Sequence, residues 1–284
     1  MPNYKIDNFT YRLKEKADLH FLSNYGEVFC AFDENDSGNI SFGTNNGKNK
    51  YFIKVAGAKT LNACVSPETA IKNLKNALPI YTDLKHLHLI SLIEHFSYHD
   101  LYIAVFRWVD GECLFDHWNF EKYRENPTII SPANRFINLP LDKKLAAFSI
   151  VCSFFAHTAK QGYVAIDFYD GSIMYDFDSD KITICDIDLY RKSPAINDMG
   201  KMWGSSRFMS PEEYELGATL DEVTNVFTLG AIAFMMFGSD TDHSFEKWTA
   251  NKDLYYVAAK ATNADREKRY QSINAFITDW DNSI

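Results

Sequence analysis

Cysteine is scarce in this chain and poorly spaced for metal. The five thiols, Cys30, Cys64, Cys113, Cys152 and Cys185, are odd in number and far apart, and no Cys-x-x-Cys pair occurs. That excludes a zinc framework and a disulfide scaffold, and predicts reduced core cysteines in a cytoplasmic protein. Long apolar runs are missing too. The longest, Val226 to Phe237, falls short of the roughly 20 residues a membrane span needs and predicts a helix buried on all sides. An excess of positive charge is also absent, with 29 Lys and Arg against 38 Asp and Glu and a net charge of -9. A nucleic-acid surface depends on clustered cations, so that partner is not expected. No self-similar period marks a repeat protein. The start Met1-Pro-Asn-Tyr-Lys-Ile6 lacks the apolar core of a secretory leader.

What the chain does have is core material and ordered carboxylates. With 46% hydrophobic residues in 284 positions, it can bury a large core. Ser172-Ile-Met-Tyr175 and Lys181-Ile-Thr-Ile-Cys185 read as short strands joined by the turn formers Asp178-Ser-Asp180. Such a hairpin brings Asp167, before its first strand, close to Asp186, after its second. Phosphoryl transfer needs one carboxylate to orient the acceptor hydroxyl, a second to hold magnesium and a cation on the nucleotide. Asp167 and Asp186 supply the carboxylates. Leu141, Leu145, Phe148, Cys152 and Phe155 recur at helical spacing and predict a core-facing helix ended by Gly162 before a strand from Tyr163 to Ile166. Ser66-Pro67-Glu68 predicts a capped helix start. Trp108, Trp118, Trp203 and Trp248 are expected in packed positions.

At these residues the chain resembles the protein kinase superfamily, bacterial serine/threonine kinases in particular, over nearly its whole length. Ala165-Ile-Asp-Phe-Tyr-Asp-Gly-Ser172 is similar to the catalytic loop, and Asp186-Ile-Asp188 stands where DFG is expected. Gly204-Ser205 and Ser210-Pro-Glu212 resemble the Gly-Thr pair and APE. Asn225-Val-Phe-Thr-Leu-Gly230 resembles the start of the large lobe's central helix, and Asp265-Arg-Glu-Lys-Arg269 the segment near the end of the fold. Tyr51-Phe-Ile-Lys-Val55 is similar to the strand that carries the phosphate-gripping lysine, and Leu101 to Gly111 to the hinge strand.

The resemblance implies an α+β bilobal fold, with a β-rich lobe over residues 1–110 and a helical lobe over residues 111–284. It implies ATP and Mg2+ as cofactors, and the transfer of phosphate to Ser or Thr of a protein substrate. Asp167 is then the catalytic carboxylate, Lys54 the phosphate cation and Ser205 the contact of the acceptor loop. Gly26, Val28, Lys54, Phe106, Arg107, Val109 and Asp186 line the nucleotide, with Phe106 as gatekeeper. Asp186 and Ser172 hold magnesium, aided by Asp170 or Asp188, since magnesium favours carboxylate and water oxygens. Glu212, Arg269 and Asn225 are structural, with Glu212 and Arg269 expected to form a buried ion pair.

Several positions depart from the family. Phe21-Leu-Ser-Asn-Tyr-Gly-Glu-Val28 keeps only Gly26 and Val28 of the glycine-rich loop, and Phe52 replaces a small residue before Lys54. Ala77 falls where the helix glutamate belongs, which leaves Glu68 as that helix's only acid ahead of position 77. Ala165 and Ile166 replace His and Arg, so activation by loop phosphorylation is not expected. Tyr169 replaces a lysine, and Ser172 an asparagine. Two further readings therefore stand beside the kinase: a pseudokinase scaffold that kept the fold, and a kinase of sugars or antibiotics.

Overall fold

The structure, a computed structural model, describes residues 2–284. It is mixed α+β, with a sheet-rich N-terminal region and a helical C-terminal region, and it divides into two compact units. The first runs up to Lys85 and includes Ile90–Asp110; the second is His86–Leu89 with Gly111–Ile284. His86–Leu89 groups with the later residues because Ile184 N–H donates to His88 O at 2.6 Å and Leu89 bridges to Ile184 in parallel.

In the first unit a hairpin of β1 (Asn3–Ile6) and β2 (Phe9–Arg12) precedes β3 (Glu27–Phe32), β4 (Asn39–Asn45) and β5 (Lys50–Ala56). Helix α1 (Pro67–Asp83) follows, then β6 (Leu92–Tyr98) and β7 (Leu101–Arg107). The last five strands form one antiparallel sheet in the order β3-β4-β5-β7-β6. Ser66 caps α1 by accepting from Thr69 N–H, and Pro67 occupies the first turn, where a missing N–H costs nothing. One face of the sheet buries Phe42, Ile53, Val55, Ile103 and Val105.

The second unit begins with β8 (Glu112–Cys113), α2 (Phe120–Glu125), α3 (Pro132–Ile137) and the long α4 (Leu141–Lys160). Next come β9 (Tyr163–Val164), β10 (Ile173–Asp176), β11 (Lys181–Ile184), β12 (Arg191–Lys192), β13 (Ala195–Ile196) and β14 (Thr219–Leu220). Helices α5 (Glu222–Phe237), α6 (Lys252–Ala261) and α7 (Ile273–Asn282) complete it. Fourteen residues of α5 are buried, so its unbroken apolar run serves contacts nearly all round. Phe148 of α4 meets Phe237 of α5 and Trp280 of α7, each ring burial contributing about 2 kcal/mol. Gly230 permits the close approach of α5 and α6, since a Cβ there would lie 2.7 Å from the Ala261 methyl.

Some expectations fail at the edges of elements. Leu141 opens α4 at its solvent-facing start and is exposed, outside the core stripe. The strand before Asp167 ends at Val164, because Ala165 N–H turns to Asn225 instead of a neighbouring strand. Trp118 and Trp203 are exposed, whereas Trp248 is buried and donates its indole N–H to Asn251 O. No helix among the described residues is long and apolar enough to cross a membrane.

Candidate active site

The hairpin of β10 and β11 pairs Ile173 with Ile184 and Asp176 with Lys181. Beyond the last pair, Cys185 N–H donates to Ser172 O at 2.8 Å, which closes the open end of the hairpin. Asp167 and Asp186 flank that closure. Both have left-handed backbone, with φ of 62° and 56°. Side chains other than glycine enter that region at an energetic cost, and aspartate with less cost than most. Asp7, His99 and Asp180 share that backbone in turns between paired strands, whereas Asp167 and Asp186 adopt it at the open end of the hairpin. Asp167 is half-buried and Asp186 exposed. Burial pushes the phenols of Tyr169 and Tyr190 well above the usual tyrosine value, and the carboxylates of Asp167 and Asp186 both push them further. Two phenols that sense both carboxylates place the two acids in one neighbourhood.

The segment after the hairpin lies on Asp167. A Cβ added to Gly204 would stand 3.4 Å from Asp167 Oδ1. Met202 and Met209, at the segment's two ends, pack with Val164 and Ile166, the apolar residues that lead into Asp167. Ser205 is half-buried next to Gly204, and its hydroxyl accepts from Arg207 Nε at 3.1 Å. From behind, Asn225 holds the loop. It is fully buried, accepts from Ala165 N–H at 2.7 Å and donates to Tyr163 O at 3.0 Å.

Glu212 and Arg269 form the buried pair, with Nη1 to Oε1 at 2.8 Å and Nη2 to Oε2 at 3.0 Å. Burial opposes the Glu212 charge, but the bonds from Arg269 hold its carboxyl below the ordinary glutamate value. Neighbouring Glu213 behaves in the opposite way: burial pushes it up to about 7 even though Ser210 N–H and Oγ both donate to it.

Ser172 is wholly buried, and its hydroxyl oxygen accepts from Tyr169 N–H at 3.5 Å in a local cap. Asp170 is buried on Arg207. Asp188 is half-buried two residues beyond Asp186. Among the described residues no group of three or more His, Cys, Asp or Glu side chains is arranged to hold a metal.

The remaining residues belong to the first unit. Lys54 is half-buried in β5, between Ser41 of β4 and Ala104 of β7. Gly26 follows a helical turn at His20–Tyr25 and has φ of 103°; a Cβ there would fall 2.2 Å from Asn45 O. Close approach to β4 thus accounts for that glycine. Val28 is core, and its N–H donates to Asp7 at 2.7 Å. The turn that joins β3 to β4 instead carries Asp33, Glu34 and Asp36, the first two paired with Arg12. Phe106 is buried, and Arg107 N–H donates to Ser91 O, while Val109 is half-buried. Phe52 meets Phe32, Phe106 and Trp108 at ring separations of 6.0, 6.4 and 6.5 Å. Ala77 is fully buried, and Glu68 bonds at its own helix start with Ser66.

The sequence reading assigns no site role to Arg207 or Glu213, and gives Asp170 a place beside magnesium instead of its pairing with Arg207. A lone arginine inside Gly204-Ser-Ser-Arg-Phe-Met209 was the available signal, though its partner is 37 residues away. Compared with known proteins, the chain matches no protein-family model and no curated protein.

Proposed function

We propose that this chain is a divergent protein-kinase-like phosphotransferase that moves the γ-phosphoryl group of ATP to a Ser or Thr hydroxyl of a protein. The observation that carries the reading is the pair of left-handed aspartates, Asp167 and Asp186, flanking one closed hairpin end, with the segment at Gly204 laid on Asp167. The division into a sheet-rich unit and a helical unit is compatible with a bilobal kinase-like fold.

On this reading Asp167 orients the acceptor hydroxyl and takes its proton as the new oxygen–phosphorus bond forms and the β,γ-bridging bond breaks, releasing ADP. Ser205 steadies the acceptor segment beside it. Lys54 grips the α- and β-phosphates. Asp186, with Asp188, would hold magnesium, which when bound neutralises charge on the phosphates. Ser172, whose hydroxyl accepts from Tyr169 N–H, is the neutral oxygen offered beside them.

A second reading, a pseudokinase scaffold, draws support from the first unit. Phe52 brings a ring into the cluster with Phe32, Phe106 and Trp108 beside the strand of Lys54, and acids fill the β3–β4 turn. The deciding experiment is phosphate transfer from labelled ATP to a generic basic protein. Wild type should transfer and Asp167→Asn should lose about 10² to 10⁴ in rate while keeping its magnesium-ATP thermal shift. Equal rates would overturn the assignment of Asp167; ATP binding without transfer in wild type would favour the scaffold.

A further inference from the structure

Arg207 joins four stretches of the second unit through one side chain. Its Nη1 and Nη2 each donate to Asp170 at 2.8 Å, a two-pronged pair with a carboxylate that is 5% exposed. Nη1 also reaches Asp240, and Nε donates to Ser205 Oγ at 3.1 Å. The rings of Phe115 and Phe208 lie 4.8 and 4.9 Å from the guanidinium carbon. A planar guanidinium suits such a site, because its fork matches a carboxylate while its faces stack on rings.

Asp170 sits three residues after Asp167, in the helical turn Asp170–Ser172 that leads into β10. Gly171 has no side chain because the Tyr169 ring folds over it, with ring carbons 2.3 Å from where a Cβ would stand. That turn is consequently compact, and its buried acid needs a cation: burial pushes the Asp170 carboxyl above its ordinary value, and Arg207 pulls it back. The cation comes from the very segment that crosses Asp167 at Gly204.

We infer that Arg207 is a positioning residue that clamps residues 204–209 onto the Asp167 loop with a permanent charge, so that the acceptor side of the site stands assembled without modification of the segment. The inference rests on the phosphotransfer reading for its catalytic consequence and on the geometry of the ion pair for the clamp itself. It also accounts for a chain that lacks an arginine before Asp167: the cation sits on the segment and the anion on the loop.

The test is amide hydrogen exchange of residues 199–209 in the full chain, alongside phosphotransfer kinetics. The variants are Arg207→Lys, which keeps charge and loses the fork, and Asp170→Asn with Arg207→Gln, which leaves no unpaired buried charge to unfold the protein. Both should speed exchange of the segment by about tenfold or more while α5 stays protected. Both should lower kcat by about 10²-fold with KM for ATP unchanged, as expected for a misplaced acceptor segment. Segment protection equal to wild type in the double variant would overturn the clamp, as would an unchanged kcat. If wild type transfers no phosphate, the proposed reaction falls, and the exchange measurement alone still decides whether the clamp holds.

Discussion

Arg269, whose side chain is fully buried, meets Glu212 in a two-pronged pair, and its remaining donors reach Asn263 O at 2.6 Å and Ala264 O at 3.2 Å. Glu212 also accepts from Thr224 Oγ1 and from Arg266. One guanidinium thus ties the Ser210-Pro-Glu212 corner to the loop before α7.

Arg269→Ala should destabilise the protein by roughly 3 to 5 kcal/mol, because Glu212 is left charged and buried with only the half-exposed Arg266 to answer it. Urea unfolding gives the value directly. A melting temperature within a degree or so of wild type would mean that the pair contributes little.

Glu213 links stability to pH. Its folded value of about 7 lies above the ordinary 4.5, so the folded state holds a proton that the unfolded chain releases first. The stabilisation from that proton is complete below about 4.5 and disappears as pH rises through 7, to a total of about 3 kcal/mol. Glu213→Gln keeps an oxygen for Ser210 and cannot ionise. Relative to wild type it should therefore gain stability between pH 5 and about 8. Parallel pH profiles for the two proteins would refute the assignment.

Asn225→Ala removes the partner of Ala165 N–H and of Tyr163 O together, at about 1 to 3 kcal/mol for each buried group left unpaired. Asn225→Asp should also destabilise, since a second carboxylate oxygen would then face Tyr163 O where the amide now donates. Either substitution loosens the backbone just before Asp167. Exchange rates at residues 163–167 are the readout that separates this local loosening from general instability.

Nucleotide binding, under the proposed function, uses Lys54 as the phosphate cation and Asp186 as the magnesium carboxylate. Lys54→Met and Asp186→Asn should each abolish the thermal shift given by magnesium-ATP, worth about 2.7 kcal/mol when ligand is at 100 times its dissociation constant. Unchanged shifts in both variants would place any nucleotide elsewhere.

The features legible in advance were those written in neighbouring residues. Ser66-Pro67 announced the start of α1, alternation around Asp178-Ser-Asp180 announced the β10–β11 hairpin, and the unbroken run from Val226 announced the buried helix α5. Asp167 and Asp186 could be named because the hairpin between them is local. The left-handed backbone at both was not visible, since aspartate is compatible with either hand and only the surrounding packing selects one.

Sequence by itself determined the elements, the buried runs and the order of the carboxylates, because caps, turns and periodicity act over a few residues. Tertiary structure decided which polar groups find each other. Asp170 looked like a spare magnesium ligand and is bound by Arg207 from 37 residues away, while the Ser172 hydroxyl is buried in a cap. Only the fold shows that a Cβ on Gly26 would meet the carbonyl of Asn45. A buried charge or hydroxyl takes whichever partner packing brings within hydrogen-bond reach, and over such separations that choice depends on the whole fold.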